Sequence, residues 1–129
     1  MKLLIVDDDK TTRKLLGLYL KGKGYEVVTA ENGLDAMEKL GTESINLMVT
    51  DMNMPYMDGI ELTRTLRADP SWSALPIIMV TTEADEDERK KALDAGVNDY
   101  LVKPTNADQI SESIKKILKK ILAGGESNV

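Results

Sequence analysis

The sequence predicts an α/β fold in which five helices cover both faces of a five-stranded parallel sheet, the arrangement called doubly wound. Five short apolar runs alternate with five helical patterns along the 129 residues. The runs are continuously apolar rather than alternating, which is typical of parallel strands that are buried on both faces. A chain of this length can build one domain with a full core and is too short for two ordinary ones. We therefore expect a single globular domain.

The strands and helices follow one another at short and regular intervals. The predicted strands are Leu3–Val6, Glu26–Ala30, Leu47–Thr50, Ile77–Val80 and Tyr100–Val102, and the predicted helices lie at 10–23, 33–40, 58–68, 84–95 and 106–122. Right-handed crossovers between parallel strands place every strand-to-helix loop at the carboxyl edge of the sheet. Open α/β folds bind their ligands at that edge.

Boundary residues in the first half of the chain support this order of elements. Strand one is followed by Asp9, which can cap helix one, and Gly24 stands where that helix should stop. Gly41 stands where helix two should end, ahead of the apolar run of strand three.

In the second half of the chain, Pro70 ends helix three, Gly96 ends helix four and Asn106 can cap helix five. Helix five carries an apolar stripe that we expect to be core, formed by Ile110, Ile114, Ile117, Leu118, Ile121 and Leu122. The last residues, 123–129, read as a flexible tail.

Composition excludes several classes of function. The chain has no cysteine and no histidine, so it has no disulfide, no thiolate nucleophile and no histidine base or metal ligand of its own. Its net charge of −5 argues against direct nucleic-acid binding. No apolar stretch is long enough to cross a membrane, and the start is too short in apolar residues for a signal peptide. We expect a cytoplasmic protein.

Three carboxylates are predicted to meet at the carboxyl edge of the sheet. Asp7 and Asp8 follow strand one and Asp51 follows strand three. Helix capping explains one acid after strand one, for which Asp9 suffices, and does not explain all of them. Like charges brought this close repel by about 1 kcal/mol per pair even at the dielectric constant of water. The cluster needs a counter-ion, and exposed oxygen ligands of this type suit Mg²⁺.

Two residues of opposite polarity follow the next strands. Thr81 ends strand four and Lys103 ends strand five, so a hydroxyl and an ammonium group can both reach an anion at the carboxylate cluster. Each alone would more often be an ordinary surface residue. Together with the three acids they favour phosphoryl transfer to a carboxylate, with Mg²⁺ and Lys103 neutralising the phosphoryl oxygens.

The sequence motifs resemble those of two-component response-regulator receiver domains of the single-domain chemotaxis-regulator type. The segments that carry the resemblance are Ile5-Val6-Asp7-Asp8, Val49-Thr50-Asp51-Met52-Asn53-Met54-Pro55, Met79-Val80-Thr81-Thr82-Glu83-Ala84 and Tyr100-Leu101-Val102-Lys103-Pro104. The resemblance implies a flavodoxin-like fold with strand order 2-1-3-4-5 and a receiver domain of residues 1–122. It also implies a cis peptide bond between Lys103 and Pro104.

The resemblance further implies a role for each acid of the cluster. Asp51 would accept a phosphoryl group from a partner histidine kinase or phosphotransfer protein. Asp8 would bind Mg²⁺ directly and Asp7 through water. Asp51 and the backbone carbonyl of Asn53 would complete the protein ligands of the ion. The chain would catalyse only its own phosphorylation and dephosphorylation, so it is not expected to be an enzyme acting on other substrates.

The resemblance assigns the remaining site residues to switching and to hydrolysis. Lys103 would pair with the phosphoryl group, and Thr81 would turn inward to donate a hydrogen bond to it. Tyr100 would then rotate inward behind Thr81. Asn53 and Glu83 would flank the path of the water that hydrolyses the acyl phosphate.

The signal is expected to leave through the face formed by helix four, strand five and helix five, which would bind a downstream protein target. We also expect a monomer that binds neither membranes nor nucleic acid. One alternative stays open, a degenerate receiver that binds proteins independently of phosphorylation. A complete set of pocket residues disfavours it.

Overall fold

The computed structural model describes the backbone of residues 1–127 and the side chains of residues 1–123. The elements are β1 Lys2–Val6, α1 Lys10–Gly22, β2 Glu26–Ala30, α2 Gly33–Thr42, β3 Leu47–Thr50, α3 Gly59–Ala68, β4 Ile77–Thr81, α4 Glu86–Ala95, β5 Asp99–Val102 and α5 Ala107–Ser127. The five strands are all parallel and lie in the order β2-β1-β3-β4-β5. The predicted fold class and strand order are confirmed.

Each face of the sheet packs against its own set of helices, because successive side chains of a strand point to opposite faces. On one face, Leu4 and Met48 pack with residues of α2, α3 and α4. On the other face, Leu3 and Val49 pack with residues of α1 and α5. Each fully buried Leu or Met side chain contributes about 1.5–3 kcal/mol relative to an exposed one. The two apolar layers hold the sheet and fix its carboxyl edge.

The capping residues that hold the helices largely match the sequence signals. Asp9 caps α1 by accepting a hydrogen bond from the backbone N–H of Thr12. Gly24 follows the end of α1 with a φ of 97°, and Gly96 ends α4 with a φ of 118°, both in the left-handed region that favours glycine. These boundary predictions are confirmed.

The end of α2 and the start of α4 each differ from the prediction by two residues. Gly41 does not end α2, which continues to Thr42; the helix stops because Glu43 takes an extended conformation while its N–H bonds to the carbonyl of Lys39. At the start of α4, Asp85 caps the helix, so α4 begins at Glu86 rather than at 84. Glycine weakens a helix interior by only about 1 kcal/mol, which the local hydrogen bonds of α2 override.

The largest difference concerns α5, which runs to Ser127 instead of ending at 122. A 21-residue helix is about 31 Å long, roughly twice the length of a five-residue strand, so its last turns extend past the sheet. Ile114 is fully buried, whereas Ile121 is 51% and Leu122 is 67% exposed, so that part of the predicted core stripe was wrong. A flexible tail of 123–129 stays a prediction, and residues 128–129 lie outside the described part of the chain.

None of the helices described within residues 1–127 combines the length and the apolar character that a membrane span requires.

At the amino edge of the sheet, the guanidinium group of Arg67 links three segments. It donates two hydrogen bonds to the carbonyl of Gly96, at 3.0 and 2.8 Å, and further ones to the carbonyls of Trp72 and Ser73. A contact of 3.1 Å joins it to Asn98 Oδ1. Its partial burial lowers the pKa of Arg67. Arg67 therefore fixes the C-terminal end of α4 against α3 and the loop that follows α3.

Candidate functional site

The register of β1 and β3 brings the three predicted carboxylates together. Val6 pairs with Thr50 at the ends of these neighbouring strands, so the residues that follow, Asp7 and Asp51, emerge side by side. Oxygen atoms of Asp7, Asp8 and Asp51 all lie within 4.8 Å of one another. Asp7 is buried, Asp51 is half-buried and Asp8 is exposed. The cluster predicted from the sequence is therefore present at the carboxyl edge.

Lys103 supplies positive charge next to these acids. Its Nζ lies 3.1 Å from Asp7 Oδ2 and 3.7 Å from Asp51 Oδ2. The backbone N–H of Lys103 donates to the carbonyl of Thr81, which extends the pairing of β4 and β5 to this residue. The peptide bond between Lys103 and Pro104 is cis, as the resemblance implies. One ammonium group thus faces three carboxylates and leaves the cluster with excess negative charge.

Burial is the main influence on the charge state of Asp51. Loss of solvent raises the pKa of the Asp51 carboxyl, and Lys103 opposes this effect. The nearby Asp7 raises the pKa of Asp51 further, while a hydrogen bond from the backbone N–H of Met52 lowers it. A divalent cation between the carboxylates would offset their mutual repulsion and the cost of desolvating Asp51.

The three carboxylates fit Mg²⁺. They provide hard oxygen donors in a half-open site, and such donors suit Mg²⁺ better than a transition metal. Asn53 lies two residues beyond Asp51 on the same loop, and the role of its backbone carbonyl as a ligand stays a prediction. The acid cluster is fixed by its backbone as well, since Asp7 Oδ1 accepts a hydrogen bond from the N–H of Asp9 at 2.9 Å.

The loop after β3 folds tightly against Asp51. A Cβ atom on Gly59 would lie 2.2 Å from the carbonyl oxygen of Asp51, so this close approach requires glycine. The N–H of Gly59 donates to the carbonyl of Met52 at 2.8 Å and closes the loop. The Asp51 carboxylate is also tied to this loop, since its Oδ1 accepts a hydrogen bond from the N–H of Met52 at 2.8 Å.

Thr81 and Tyr100 lie behind the cluster and share a contact with Glu83. Thr81 is fully buried, and its Oγ1 accepts a hydrogen bond from the N–H of Glu83 at 3.2 Å. Tyr100 is only 7% exposed, and its hydroxyl donates to the carbonyl of Glu83 at 2.7 Å. Burial and the neighbouring acids Glu83 and Glu88 raise the pKa of Tyr100. Tyr100 is thus buried against the segment before α4, and its rotation on phosphorylation stays a prediction.

Two features of the site were not predicted from the sequence. Arg13 of α1 donates a hydrogen bond to the carbonyl of Asp7 at 2.8 Å, which anchors the acidic loop to the helix. A cavity of about 320 Å³ opens beside Asp51 and Lys103, and its apolar lining includes Leu15 and Tyr19 of α1. Leu15 and Tyr19 are four residues apart, so they share one face of α1. This four-residue spacing is the sequence pattern that could have predicted an apolar wall on α1.

Comparisons with known proteins agree with the geometry. A family model for the response regulator receiver domain matches residues 3–115. The chain is 43% identical over 120 residues to the chemotaxis protein CheY1 of Helicobacter pylori, covering 92% of this chain and 97% of the relative. It is 42% identical over 122 residues to the chemotaxis protein CheY of Pseudomonas aeruginosa, covering 94% and 98%.

Solved structures give the same result. A response regulator receiver protein from Pseudomonas putida superimposes with a TM-score of 0.83 at 36% identity, covering 89% of this chain and 95% of that one. The chemotaxis response regulator CheY4 of Vibrio cholerae superimposes with a TM-score of 0.79 at 32% identity, covering 93% and 97%.

Proposed function

The chain belongs to the response regulator receiver domain family, and from this membership we propose that it is a phosphorylatable receiver of a two-component system. Asp51 is the phosphoacceptor. The observation that carries the proposal is the convergence of Asp7, Asp8 and Asp51 within 4.8 Å, with the ammonium group of Lys103 against two of them.

In the proposed reaction, a carboxylate oxygen of Asp51 attacks phosphorus. The bond from phosphorus to a nitrogen of the donor's phosphohistidine breaks, and the leaving imidazole keeps the electron pair. The chain has no histidine, so the donor is a partner kinase or phosphotransfer protein, or a small acyl phosphate. The loop closed by Gly59 and Met52 supports this role, because it fixes the direction of the attacking carboxylate.

Mg²⁺, when bound, neutralises the charge that gathers on the phosphoryl oxygens. Asp7, Asp8, Asp51 and the backbone carbonyl of Asn53 are the groups that would hold it. The excess negative charge of the cluster supports this assignment, because the one ammonium group of Lys103 does not balance three carboxylates.

Lys103 and Thr81 would stabilise the transferred group. Lys103 lies 3.7 Å from Asp51 Oδ2, so its ammonium group can follow the negative charge as this moves from the carboxylate to the phosphoryl oxygens. The Thr81 hydroxyl accepts from the N–H of Glu83, and a hydroxyl that accepts one hydrogen bond still has its own proton to donate. We propose that the Thr81 hydroxyl donates this hydrogen bond to a phosphoryl oxygen.

Hydrolysis of the acyl phosphate would follow at the same site. Asn53 and Glu83 are both exposed, two residues beyond Asp51 and Thr81 respectively. A small amide and a flexible acid leave room for a water molecule and can orient it. We assign to these two residues the control of the lifetime of the phosphorylated state.

The output surface is proposed to be the face of α4, β5 and α5. Ala92 is the buried residue of α4, so packing anchors this helix weakly. The contacts of Thr81 and Tyr100 with Glu83 connect the phosphoacceptor site to the start of α4. Phosphorylation would shift this face toward the conformation that binds a downstream protein.

The charge of this surface favours a partner with a complementary pattern. The first turn of α4 is acidic, with Glu86, Asp87 and Glu88, whereas α5 exposes Lys115, Lys116, Lys119 and Lys120. Charge complementarity would select the target and raise its association rate. The alternative, a degenerate receiver that binds proteins without phosphorylation, is disfavoured by the complete set of acids with Lys103 and Thr81.

Labelling with acetyl phosphate separates the two functions. In the presence of Mg²⁺, intact-mass spectra should show one phosphoryl group, stable to acid and labile to base, on the unmodified chain and none on Asp51→Asn. Asp58→Asn is the matched control. Asp58 lies on the same loop as Asp51 and is the N-cap of α3, and asparagine caps a helix equally well. Equal labelling of the unmodified chain and Asp51→Asn would refute the assignment, and no labelling of either would favour the degenerate receiver.

A further inference from the structure

Tyr56 stands out on the loop that carries Asp51. Within the described residues 1–127, it is the only non-glycine residue with a positive φ, which is 71°. Its side chain is 83% exposed. The N–H of Met57 bonds to the carbonyl of Pro55 at 2.8 Å, which closes a three-residue turn around Tyr56. Turns of this kind with positive φ are rare and strained. A tyrosine in this backbone conformation is strained, and its exposed side chain gains almost no stabilisation from burial.

The neighbours of Tyr56 form an apolar rim with it. A Cβ atom on Gly33 would lie 2.7 Å from Cβ of Met57, so the first residue of α2 packs directly against the turn. Leu34 follows Gly33 and is 56% exposed. Leu34, Tyr56 and half-buried Met57 therefore present apolar side chains to solvent, Leu34 from the first turn of α2 and the other two from the loop after β3. We call these three residues the Tyr56 rim.

The position of the rim indicates what covers it. The start of α2 follows β2 directly, and the Tyr56 loop follows β3, so both lie at the carboxyl edge of the sheet, the edge that carries the acid cluster. The side chain of Asp51 is only 12% exposed, so a protein that delivers a phosphoryl group to it must seat its donor residue against this edge. Such a protein necessarily approaches the loops beside Asp51. Exposed tyrosines surrounded by apolar side chains are frequent anchors of protein interfaces.

We propose that the Tyr56 rim, with its aromatic side chain held outward on the phosphoacceptor loop and flanked by Leu34 and Met57, is a docking and specificity determinant for the phosphodonor protein. The inference rests on the proposed function, since it assumes a histidine-phosphorylated protein as donor. The rim contacts the body of that protein. A small phosphodonor has no such body, so its reaction with Asp51 does not involve the rim.

The test compares a protein donor with a small one. The histidine kinases of the source organism, autophosphorylated with labelled ATP, are screened with the unmodified chain, and the one that transfers fastest is the protein donor. Tyr56→Gly should lower the efficiency of phosphoryl transfer from this kinase by about tenfold or more. The loss should come from a rise in the concentration of chain that gives the half-maximal rate. Labelling by acetyl phosphate should stay within about twofold, because Tyr56 takes no part in the proposed chemistry. Tyr56→Phe should keep most of the transfer rate from the kinase.

Stability measurements exclude a structural explanation. Glycine accepts a positive φ without strain, so Tyr56→Gly should unfold at the same or a higher urea concentration than the unmodified chain. Leu122→Ala is the matched control for loss of an exposed apolar side chain, since Leu122 is 67% exposed at the end of α5, near the opposite edge. It should leave transfer from the kinase unchanged.

Four results would overturn the inference. They are equal transfer to Tyr56→Gly and to the unmodified chain, a parallel loss with acetyl phosphate, an equal loss in Leu122→Ala, and the failure of every kinase to transfer while acetyl phosphate still labels Asp51. The proposed function itself would instead be removed by the absence of labelling by acetyl phosphate, or by equal labelling of the unmodified chain and Asp51→Asn.

Discussion

Replacing Asp51 by asparagine should stabilise the fold in the absence of Mg²⁺. The carboxylate is held close to two others, with one ammonium group to offset them, and it has lost most of its solvent. Asparagine has nearly the same shape and still offers an oxygen to the N–H of Met52. The substitution therefore removes the charge while keeping the packing and the hydrogen bond.

The magnitude follows from the distances in the cluster. At the 4.8 Å limit, Asp7 and Asp8 each repel Asp51 by about 0.9 kcal/mol at the dielectric constant of water and about 3.5 kcal/mol at an effective value of about 20. The attraction of Lys103 at 3.7 Å is about 1.1 and about 4.5 kcal/mol at the same two values. Repulsion exceeds attraction by about 0.6 to 2.4 kcal/mol. We expect Asp51→Asn to raise the free energy of unfolding by about 1–2 kcal/mol.

Urea unfolding monitored by the fluorescence of Trp72 measures this change. Without Mg²⁺ the midpoint of Asp51→Asn should be higher at an unchanged slope. Mg²⁺ at about a hundred times its dissociation constant should stabilise the unmodified chain by about 2.7 kcal/mol. The variant has lost one ligand and should gain much less, so Mg²⁺ should cancel or reverse the difference.

Asp94→Asn is the control for loss of a negative charge elsewhere, because Asp94 is exposed on α4. It should change stability by less than about 0.5 kcal/mol with or without Mg²⁺. An Asp51→Asn variant that is less stable than the unmodified chain without Mg²⁺ would refute the account of the site as an overcharged cluster. A gain that is independent of Mg²⁺ would refute the role of Asp51 as a ligand.

Three further predictions follow from the same structure. Gly59→Ala should lower stability by about 1–3 kcal/mol in urea unfolding, because its Cβ would lie 2.2 Å from the carbonyl oxygen of Asp51; Gly41→Ala, with no atom near its added Cβ, should be neutral or stabilising. Glu83→Leu should lengthen the life of the acyl phosphate severalfold, measured as loss of label after removal of acetyl phosphate, and an unchanged rate would exclude a role for this acid in orienting water. The emission of Trp72 should change little when Mg²⁺ or beryllofluoride is added, since the loop between α3 and β4 lies at the opposite edge, and a large saturable quench would contradict this.

The sequence predicts the fold well because the information is local and repeated. Each strand is a compact apolar run, and right-handed crossovers then leave few possible topologies. The same topology predicts the site, since residues that follow parallel strands must meet at one edge. Asp7 and Asp51 could be assigned to one cluster without knowing any distance between them.

The features that sequence reasoning missed depend on three-dimensional context. The apolar pattern of α5 shows which face is apolar but not how far the sheet extends beneath it, so Ile121 and Leu122 were assigned to the core. The contacts of Arg13 with the Asp7 carbonyl and of Tyr100 with the Glu83 carbonyl are made to backbone atoms, which every residue carries. A side-chain type therefore gives no signal for such a partner.

Because its C-terminal end is held in place, α4 can move mainly at its N-terminal end. Arg67 holds the carbonyl of Gly96, whereas Glu86 and Asp87 at the start of α4 are exposed and the first turn buries no apolar side chain. Any tilt of α4 must therefore pivot near Gly96. The ten residues of the helix span about 15 Å, so a tilt of about 10° moves its first turn by about 2.5 Å and leaves its last turn almost in place. Displacement would be concentrated at the end next to Glu83, the residue that contacts Thr81 and Tyr100.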